Sequence, residues 1–224
     1  MKKSSILILI IICLVGCKKG SNETTITGEI KGLGTDTLYL YGMDELYDRI
    51  DTIYVENDKF SYTTSVDTIT SAYLLLKNRI EYPVFLDKGN KIKIKGDTIN
   101  LNFLTISGNI YNEEFTDFQK ALEDPADPSE KAGEETVDKR ITVEKANTAE
   151  EMAEEFILQH HSSYVSLYLL DKYFVQKETP DFSKIKKLVE VMTGVLQDKP
   201  YIERLNETIT QAEKSEIGKY APFF

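Results

Sequence analysis

The chain has 224 residues, enough for one large domain or two small ones around a substantial apolar core. Apolar residues make up 41% and charged residues 29%, which is ordinary for a globular protein. A formal net charge of −10 repels nucleic-acid phosphates and anionic lipid headgroups. The composition therefore argues against nucleic acid as a partner, and it indicates that membrane attachment needs a hydrophobic anchor rather than a basic face.

Residues 1–16 have the pattern of a secretory signal peptide. Lys2 and Lys3 supply a basic start, and residues 6–15 form an unbroken apolar run. That run is shorter than the roughly 20 apolar residues that a membrane-spanning helix needs. We therefore predict that this segment directs export and is removed.

The end of the segment, Leu14-Val15-Gly16-Cys17, resembles the bacterial lipobox. In a lipobox the cysteine thiol takes a diacylglycerol, and a small residue before it leaves the cleaved bond accessible. We predict that Cys17 becomes the lipidated first residue, that residues 17–23 form a tether, and that the membrane is reached through this anchor. An ordinary signal peptide with an incidental cysteine is the alternative.

The cysteine count limits the chemistry that follows export. Cys13 lies in the apolar run and Cys17 is assigned to the lipid, so residues 18–224 contain no thiol. We expect no disulfide and no redox chemistry from these residues. Residues 18–24 do not resemble an inner-membrane retention signal, which favours an outer-membrane lipoprotein that faces the periplasm.

Residues 24–108 predict an antiparallel β-sandwich. Alternating or continuous apolar runs recur between turn signals, as expected for about eight short strands. Residues 91–95 alternate strictly, with one apolar and one basic face. The predicted strands are residues 25–30, 36–41, 50–55, 59–63, 72–76, 84–86, 91–95 and 99–106.

Residues 109–214 predict an all-helical region, which makes the fold class α+β. Apolar residues at helical spacing mark a first helix after residue 109, and an acidic, Pro-rich loop follows at residues 123–133. A long charged helix comes next. Ser162-Ser163 offers an N-cap for a helix at residues 164–174.

The last two predicted helices are marked by prolines. Pro180 falls near the first helical position of one helix, whose apolar stripe runs from Ile185 to Leu196. Pro200 opens the final helix.

No catalytic or metal-binding motif is recognisable. His160-His161 is the only histidine pair, and adjacent residues on a helix point about 100° apart, so a polar helix end is the favoured interpretation. The glutamates between residues 134 and 155 are typical of a solvated helix face. We therefore expect no enzyme activity, no cofactor and no metal ion.

One tripeptide pattern, Asp-Thr followed by Leu or Ile, occurs four times. It resembles an O-glycosylation acceptor of exported bacterial proteins, although aspartate before β-branched residues is also a common way to enter a strand. The candidate acceptors are Thr37, Thr52, Thr68 and Thr98.

Residues 51–62 (DTIYVENDKFSY) resemble the strand–turn–strand core of a domain of unknown function in Gram-negative lipoproteins. Asp58 stands where that family commonly has glycine, and aspartate tolerates the left-handed conformation that such a turn needs. Residues 85–94 and 106–112 fit the same family, so the resemblance covers residues 24–118.

In that family the β domain and its helical extension commonly precede a thioredoxin-fold module of the TlpA/ResA type. Residues 217–224 (IGKYAPFF) resemble the entry into such a module. The resemblance implies that residues 215–224 begin a thioredoxin-like domain whose Cys-x-x-Cys is not in this sequence. It also implies an accessory region that positions a linked thiol–disulfide oxidoreductase domain or a protein partner.

A free-standing lipoprotein that binds a glycan or a peptide between its two halves is the alternative. Aromatic side chains stack on sugars, although tyrosines also pack in cores and at sheet edges. The tyrosines that motivate this hypothesis are Tyr39, Tyr41, Tyr54, Tyr62, Tyr73 and Tyr82.

Overall fold

The computed structural model describes residues 22–43, 45–76, 79–123 and 138–215. The predicted signal peptide, Cys17, residues 18–21, most of the acidic loop and residues 216–224 lie outside these ranges. Two four-stranded sheets are followed by five helices, which confirms the predicted α+β class.

The first sheet has the strand order β4-β1-β7-β8. β1 pairs antiparallel with β4 but parallel with β7, so the sandwich is mostly rather than wholly antiparallel. A parallel neighbour requires a crossover, and here the strands of the second sheet intervene between β1 and β7 along the chain. These strands are β1 (Glu23–Lys31), β4 (Lys59–Ser65), β7 (Lys91–Asp97) and β8 (Thr105–Ser107).

The second sheet has the order β3-β2-β5-β6, and all of its pairs are antiparallel. Its inward side chains meet those of the first sheet; Leu38, Leu74 and Ile92, for example, are fully buried. This inner layer supplies the apolar burial that drives the two sheets together. The strands are β2 (Asp36–Gly42), β3 (Ile50–Val55), β5 (Thr70–Leu75) and β6 (Glu81–Leu86).

The helices close one edge of the sandwich and cover part of the second sheet. Phe115 of the first helix packs edge-on against Tyr82 and Phe85, which point to opposite faces of β6, and Tyr168 of the third contacts Tyr73 of β5. The helices are α1 (Ile110–Glu123), α2 (Asp138–Gln159), α3 (Tyr164–Leu170), α4 (Phe182–Val191) and α5 (Pro200–Ser215).

The joint between the two halves is built by a short polar motif. The side chain of Asn112 behaves like a neighbouring strand, because its Oδ1 accepts from Phe85 N–H at 3.0 Å and its Nδ2 donates to the Phe85 carbonyl at 2.8 Å. Asn109 caps α1 by accepting from Asn112 N–H at 3.0 Å. Gly108 has φ +117°, and a Cβ there would lie 2.3 Å from the Lys91 carbonyl oxygen.

Two helix starts follow the predicted signals. The N–H of Val165 donates to the Ser163 hydroxyl at 3.2 Å, so Ser163 is the N-cap of α3. Pro200 is the first residue of α5.

α4 starts at the predicted signal around Pro180, but the position of the proline and the end of the helix differ from the prediction. Asp181 is the N-cap and accepts from Lys184 N–H at 3.0 Å, which places Pro180 before the helix rather than inside it. The helix ends at Val191, and Thr193 N–H donates to the His161 carbonyl at 2.9 Å. Gly194 is left-handed at φ +63°, so the predicted stripe from Ile185 to Leu196 is broken before its last residues.

The predicted strand at residues 99–106 is also wrong over most of its length. Asp97 Oδ1 accepts from Ile99 N–H at 2.9 Å, which turns the chain and leaves Ile99 92% exposed. Pairing with β7 is restored only at Thr105–Ser107.

Candidate functional site

A groove of about 600 Å³ lies between the second sheet and the helical half. Tyr73 of β5 forms one wall, and Tyr201 of α5 and Phe182 of α4 stand opposite. Asp171 and Gln176 supply polar groups at the helical side. Clefts that combine aromatic walls with a few convergent polar groups are typical of ligand sites.

A π-helical turn at Asp171–Val175 delivers the groove's carboxylate. It continues α3, and Gln176 N–H donates to the Asp171 carbonyl at 3.0 Å. Single π turns inside helices occur frequently at functional sites, because the inserted residue redirects one side chain. Here the turn directs Asp171 toward the sheet.

Two hydrogen bonds fix the orientation of that carboxylate. The Tyr201 hydroxyl donates to Asp171 Oδ1 at 2.6 Å, and Gln176 Nε2 donates to Oδ2 at 2.6 Å. Burial, and then the charge of Asp171, raises the pKa of Tyr201. Tyr201 therefore stays a neutral donor across the physiological range.

The sheet side of the groove is a tyrosine pair. The rings of Tyr41 and Tyr73 have centroids 5.6 Å apart, and Tyr73 also meets Tyr168 edge-on at 6.2 Å. Burial raises the pKa of Tyr73, so its hydroxyl is neutral as well. The Tyr41 hydroxyl donates to Glu81.

A second hollow of about 390 Å³ extends the groove along the sheet and shares Gly42, Met43 and Arg204 with it. Arg49 lines this hollow, with its guanidinium 4.5 Å from the centre of the Tyr47 ring. The chain has only four arginines, and two of them line this continuous groove.

Arg49 is held in place by its neighbours. Its Nε lies 3.0 Å from Asp51 Oδ2, and Nη2 donates to the Ser65 carbonyl at 3.1 Å. Burial opposes the charge of Asp51, but hydrogen bonds from Tyr47, Arg49 and Tyr62 outweigh it and lower the pKa of that carboxyl. The pair is therefore ionised at neutral pH.

The outer face of β2 and β3 continues the aromatic surface. Tyr39 and Tyr41 share one side of β2, Ile50 opposes Tyr41, and Tyr54 opposes Thr37. Tyr39 is 42% exposed, and Ile50 and Tyr54 are each 73% exposed. We call Tyr39, Tyr41, Tyr54, Tyr73 and Ile50 the tyrosine face.

The six tyrosines singled out from the sequence therefore divide into two groups. Four lie on the tyrosine face. Tyr82 is core, 2% exposed, and its hydroxyl donates to the Leu104 carbonyl at 2.7 Å. Tyr62 is on β4 of the other sheet, opposite Ile26.

A second polar cluster joins α1 to the start of α3. Ser163 donates to Glu114 Oε2 at 2.5 Å, and His160 Nδ1 lies 3.6 Å from Glu114 Oε1. The Ser163 hydroxyl donates its hydrogen bond to the glutamate and not to the histidine. The same hydroxyl accepts from Val165 N–H as the N-cap of α3. His160 stacks on Phe156 at 4.1 Å, so the cluster is a helix-end structure of the kind predicted.

The lipobox residues Leu14, Val15, Gly16 and Cys17 lie outside the described residues, and lipidation stays a prediction. Among the candidate O-glycosylation sites, Thr52 and Thr68 are exposed, whereas Thr37 and Thr98 are partly buried. Their modification also stays a prediction.

Two kinds of feature are absent from the described residues, 22–43, 45–76, 79–123 and 138–215. No group of three or more His, Cys, Asp or Glu residues there could hold a metal ion. No helix in those ranges has the length and apolar character needed to cross a membrane.

The helical side of the groove was not predicted. Asp171 and Gln176 carry no recognisable motif, and Tyr201 follows a proline without joining an apolar stripe. A π turn has no sequence signature that would have placed Asp171.

Residues 24–115 match a protein-family model whose description is "Domain of unknown function (DUF4369)". The match covers both sheets and ends inside α1, just after the Asn109–Asn112 joint. No curated protein and no solved structure matches the chain. The chain thus contains an N-terminal domain of unknown function with a sandwich-like fold, followed by a helical region.

Proposed function

We propose that this chain is a lipid-anchored, non-catalytic module of the outer membrane that positions a TlpA/ResA-like thiol–disulfide oxidoreductase domain in the periplasm. The observation that carries the proposal is the domain match at residues 24–115. That domain stands between a lipobox cysteine and a terminal segment that resembles the entry into a thioredoxin fold.

The geometry of the described residues supports a spacer. β1 begins at Glu23, six residues after Cys17, and α5 ends at Ser215, two residues before Ile217. Between them the buried residues of both halves form one hydrophobic cluster, from Ile26 to Ile209. Because the sandwich and the helical region share one core, they do not hinge freely against each other. The position of the anchor would therefore determine the position of a domain that follows α5.

The anchor is tested on protein extracted from native membranes. Intact mass should show a chain that begins at a triacylated or diacylated Cys17, and Cys17→Ser should move the protein from the membrane to the soluble fraction. Peptides with a Cys-x-x-Cys beyond Phe224 would support the positioning role. An unmodified Cys17 in membrane-extracted protein would refute the anchor.

The non-catalytic character is tested with an insulin-reduction assay. The 224-residue chain has no thiol outside its first 17 residues, so it should not accelerate reduction above the background of the chemical reductant. Clear turnover by this chain would refute the proposal.

A second candidate function is ligand binding in the groove and on the tyrosine face. It is favoured by one observation: four of the six tyrosines lie on one outer surface that leads into the groove. Aromatic faces with neighbouring hydrogen-bond donors suit glycans and extended peptides.

A thermal-shift panel of neutral oligosaccharides, uronic-acid oligosaccharides and pentapeptides tests this candidate. One class should raise the melting temperature by several degrees, since a ligand that binds only the folded state stabilises it. Tyr54→Ala should reduce the shift, and Ile99→Ala, a change at an even more exposed site away from the face, should not. An equal shift in both variants would place the ligand elsewhere.

A further inference from the structure

The outer face of the first sheet is lined with lysines and hydroxyl side chains. Alternate residues of β7 point outward, so Lys91, Lys93 and Lys95 are exposed while Ile92 and Ile94 are buried. This is the basic face that the alternation predicted. The alternation does not show which strands lie beside β7 or which of their side chains share this face.

The strand register supplies those neighbours. Lys93 lies between Thr27 and Ser107, and Lys95 lies between Glu29 and Thr105. Outward positions of β1 and β4 add Thr25, Lys31, Lys59, Ser61 and Thr63. We call this surface the lysine face.

The lysine face is positively charged although the chain is acidic. Five lysines (Lys31, Lys59, Lys91, Lys93 and Lys95) stand against three acidic residues at outward positions of the same strands (Glu23, Glu29 and Asp97). Lys59 lies 3.9 Å from Glu29, whereas Lys91, Lys93 and Lys95 form no salt bridge with any residue in the described ranges. The negative charge is therefore concentrated elsewhere on the molecule.

The lysine face lies close to the predicted lipid anchor. Asn22 accepts from Val66 N–H at 3.2 Å, and Thr25 on β1 is directly opposite Lys91. Asn22 is the fifth residue after Cys17, so a fully extended tether reaches about 18 Å. The face is thus held within a short distance of the membrane surface.

We propose that the lysine face docks on the anionic phospholipid headgroups of the membrane that holds the lipid anchor. The net charge of −10 acts at long range, but salt screens it beyond about 10 Å. At contact the potential is set by the nearest charges, and anionic headgroups attract the lysines among them. The five lysines of the face outnumber its acidic neighbours, Glu23, Glu29, Asp97 and Glu123, the last of which lines a hollow with Lys31 and Lys95. The threonine and serine hydroxyls of the lysine face add hydrogen-bond donors for phosphate oxygens.

Docking would also orient the rest of the molecule. The tyrosine face lies on the opposite side of the sandwich, on the second sheet, where Tyr168 of α3 packs against Tyr73. α1 closes the edge of the sandwich next to β8. With the lysine face on the membrane, the groove and α5 would face the aqueous compartment. The inference rests on the proposed lipid anchor.

The test uses the lipidated full chain in phosphatidylcholine vesicles with or without phosphatidylglycerol. Lysine acetylation is read by mass spectrometry after intact mass has verified the lipid on Cys17. Acetylation of Lys91, Lys93 and Lys95 should fall several-fold in the anionic vesicles and recover in high salt. Acetylation of Lys187, an exposed lysine of α4, should stay constant.

A pair of charge-matched variants provides the control. The triple variant Lys91→Glu, Lys93→Glu, Lys95→Glu should lose the increase in headgroup contact, measured as quenching of a probe on the domain by labelled phosphatidylglycerol. Lys120→Glu, Lys172→Glu, Lys187→Glu has the same charge change on the helices and should keep it. A Lys→Gln version of the face, which introduces no negative charge, should give a partial loss.

The outcomes are separable. Unprotected lysines on a lipidated chain, or equal loss in the two triple variants, would overturn the docking and leave the anchor standing. An unlipidated Cys17 would overturn the proposed function and the tethered docking together.

Discussion

Asn112 shows how much a single buried side chain contributes at the joint between the halves. It is 1% exposed and satisfies both backbone groups of Phe85 on an edge strand. Without it the Phe85 N–H would be buried and would lose the amide oxygen that accepts from it, which costs about 1–3 kcal/mol if no water replaces that oxygen. The Phe85 carbonyl would still accept from Asn109 Nδ2 at 2.8 Å. The amide therefore replaces a missing strand.

We predict that Asn112→Ala lowers the free energy of unfolding by about 1–3 kcal/mol, since the buried Phe85 N–H loses the amide oxygen to which it donates. Urea denaturation followed by far-UV circular dichroism measures this. Asn206→Ala, at an exposed position of α5, is the control and should change stability by less than about 0.5 kcal/mol. Equal effects at the two sites would contradict the role of Asn112.

Tyr201 links α5 to the π turn through one charge-assisted hydrogen bond. Tyr201→Phe removes the donor to Asp171 Oδ1 but leaves Gln176 on Oδ2. We predict a loss of about 1–2 kcal/mol in unfolding free energy, because hydrogen bonds to charged groups are stronger than neutral ones. Denaturation of Tyr39→Phe, a change on an exposed tyrosine, should show almost no loss.

Between elements, salt bridges connect α2 to α4 and to the segment that follows the π turn. They are formed by two glutamates of α2 and by two lysines, Lys177 and Lys184. Glu150 lies 2.6 Å from Lys177 and 3.4 Å from Lys184, which also reaches Glu154 at 2.7 Å. Burial opposes the charge of Glu150, but the two lysines outweigh it and lower the pKa of the carboxyl. The Lys184 ammonium also lies 5.0 Å from the centre of the Phe174 ring.

The lowered pKa of Glu150 makes these salt bridges sensitive to acid. Stability from a carboxyl with a depressed pKa is complete above its ordinary value of about 4.3 and is lost as the pH falls through the lower folded value. We predict that Glu150→Gln costs about 0.5–1 kcal/mol at pH 7, since the pair is partly exposed. The difference from the wild type should be smaller at about pH 3 than at pH 7, because the carboxyl loses its charge as the pH falls below its ordinary value and through the lower folded value.

Denaturation of both proteins at the two pH values measures this. A matched change at Glu151, an exposed neighbour on α2, should give no such pH-dependent difference. A Glu150→Gln penalty that persisted unchanged into acid would show that the side chain acts through packing instead of charge.

At the scale of the whole molecule, both halves share one core. Phe115 of α1 contacts Tyr82 and Phe85 of β6, and it also meets Tyr168 of α3 at 5.2 Å. Removing either half would expose these rings to water. The family match ends at residue 115, whereas the core continues beyond it into the helices, as the contact of Phe115 with Tyr168 shows.

We therefore predict one cooperative unfolding transition for the sandwich and the helices. Near-UV circular dichroism of the tyrosines and far-UV signal at 222 nm should give coincident urea curves, as two-state behaviour requires. Two separated transitions would show that the sandwich and the helical region are independent domains.

The sequence by itself determined the local pattern. Alternating or continuous apolar runs located seven of the eight strands, because a strand buried on one face alternates and a strand buried on both faces is apolar throughout. Ser163 and Pro200 marked helix starts for equally local reasons, since a cap satisfies backbone groups within one turn.

Only the tertiary structure decided which distant residues meet. The parallel partnership of β1 with β7, the early end of α4 and the meeting of Asp171 with Tyr201 all depend on packing between segments far apart in the chain. The distribution of charge over the surface also depends on which distant segments meet. Composition fixed the total of −10, whereas strand register gathered lysines from three strands onto one face, because pairing, not sequence order, determines which side chains are neighbours.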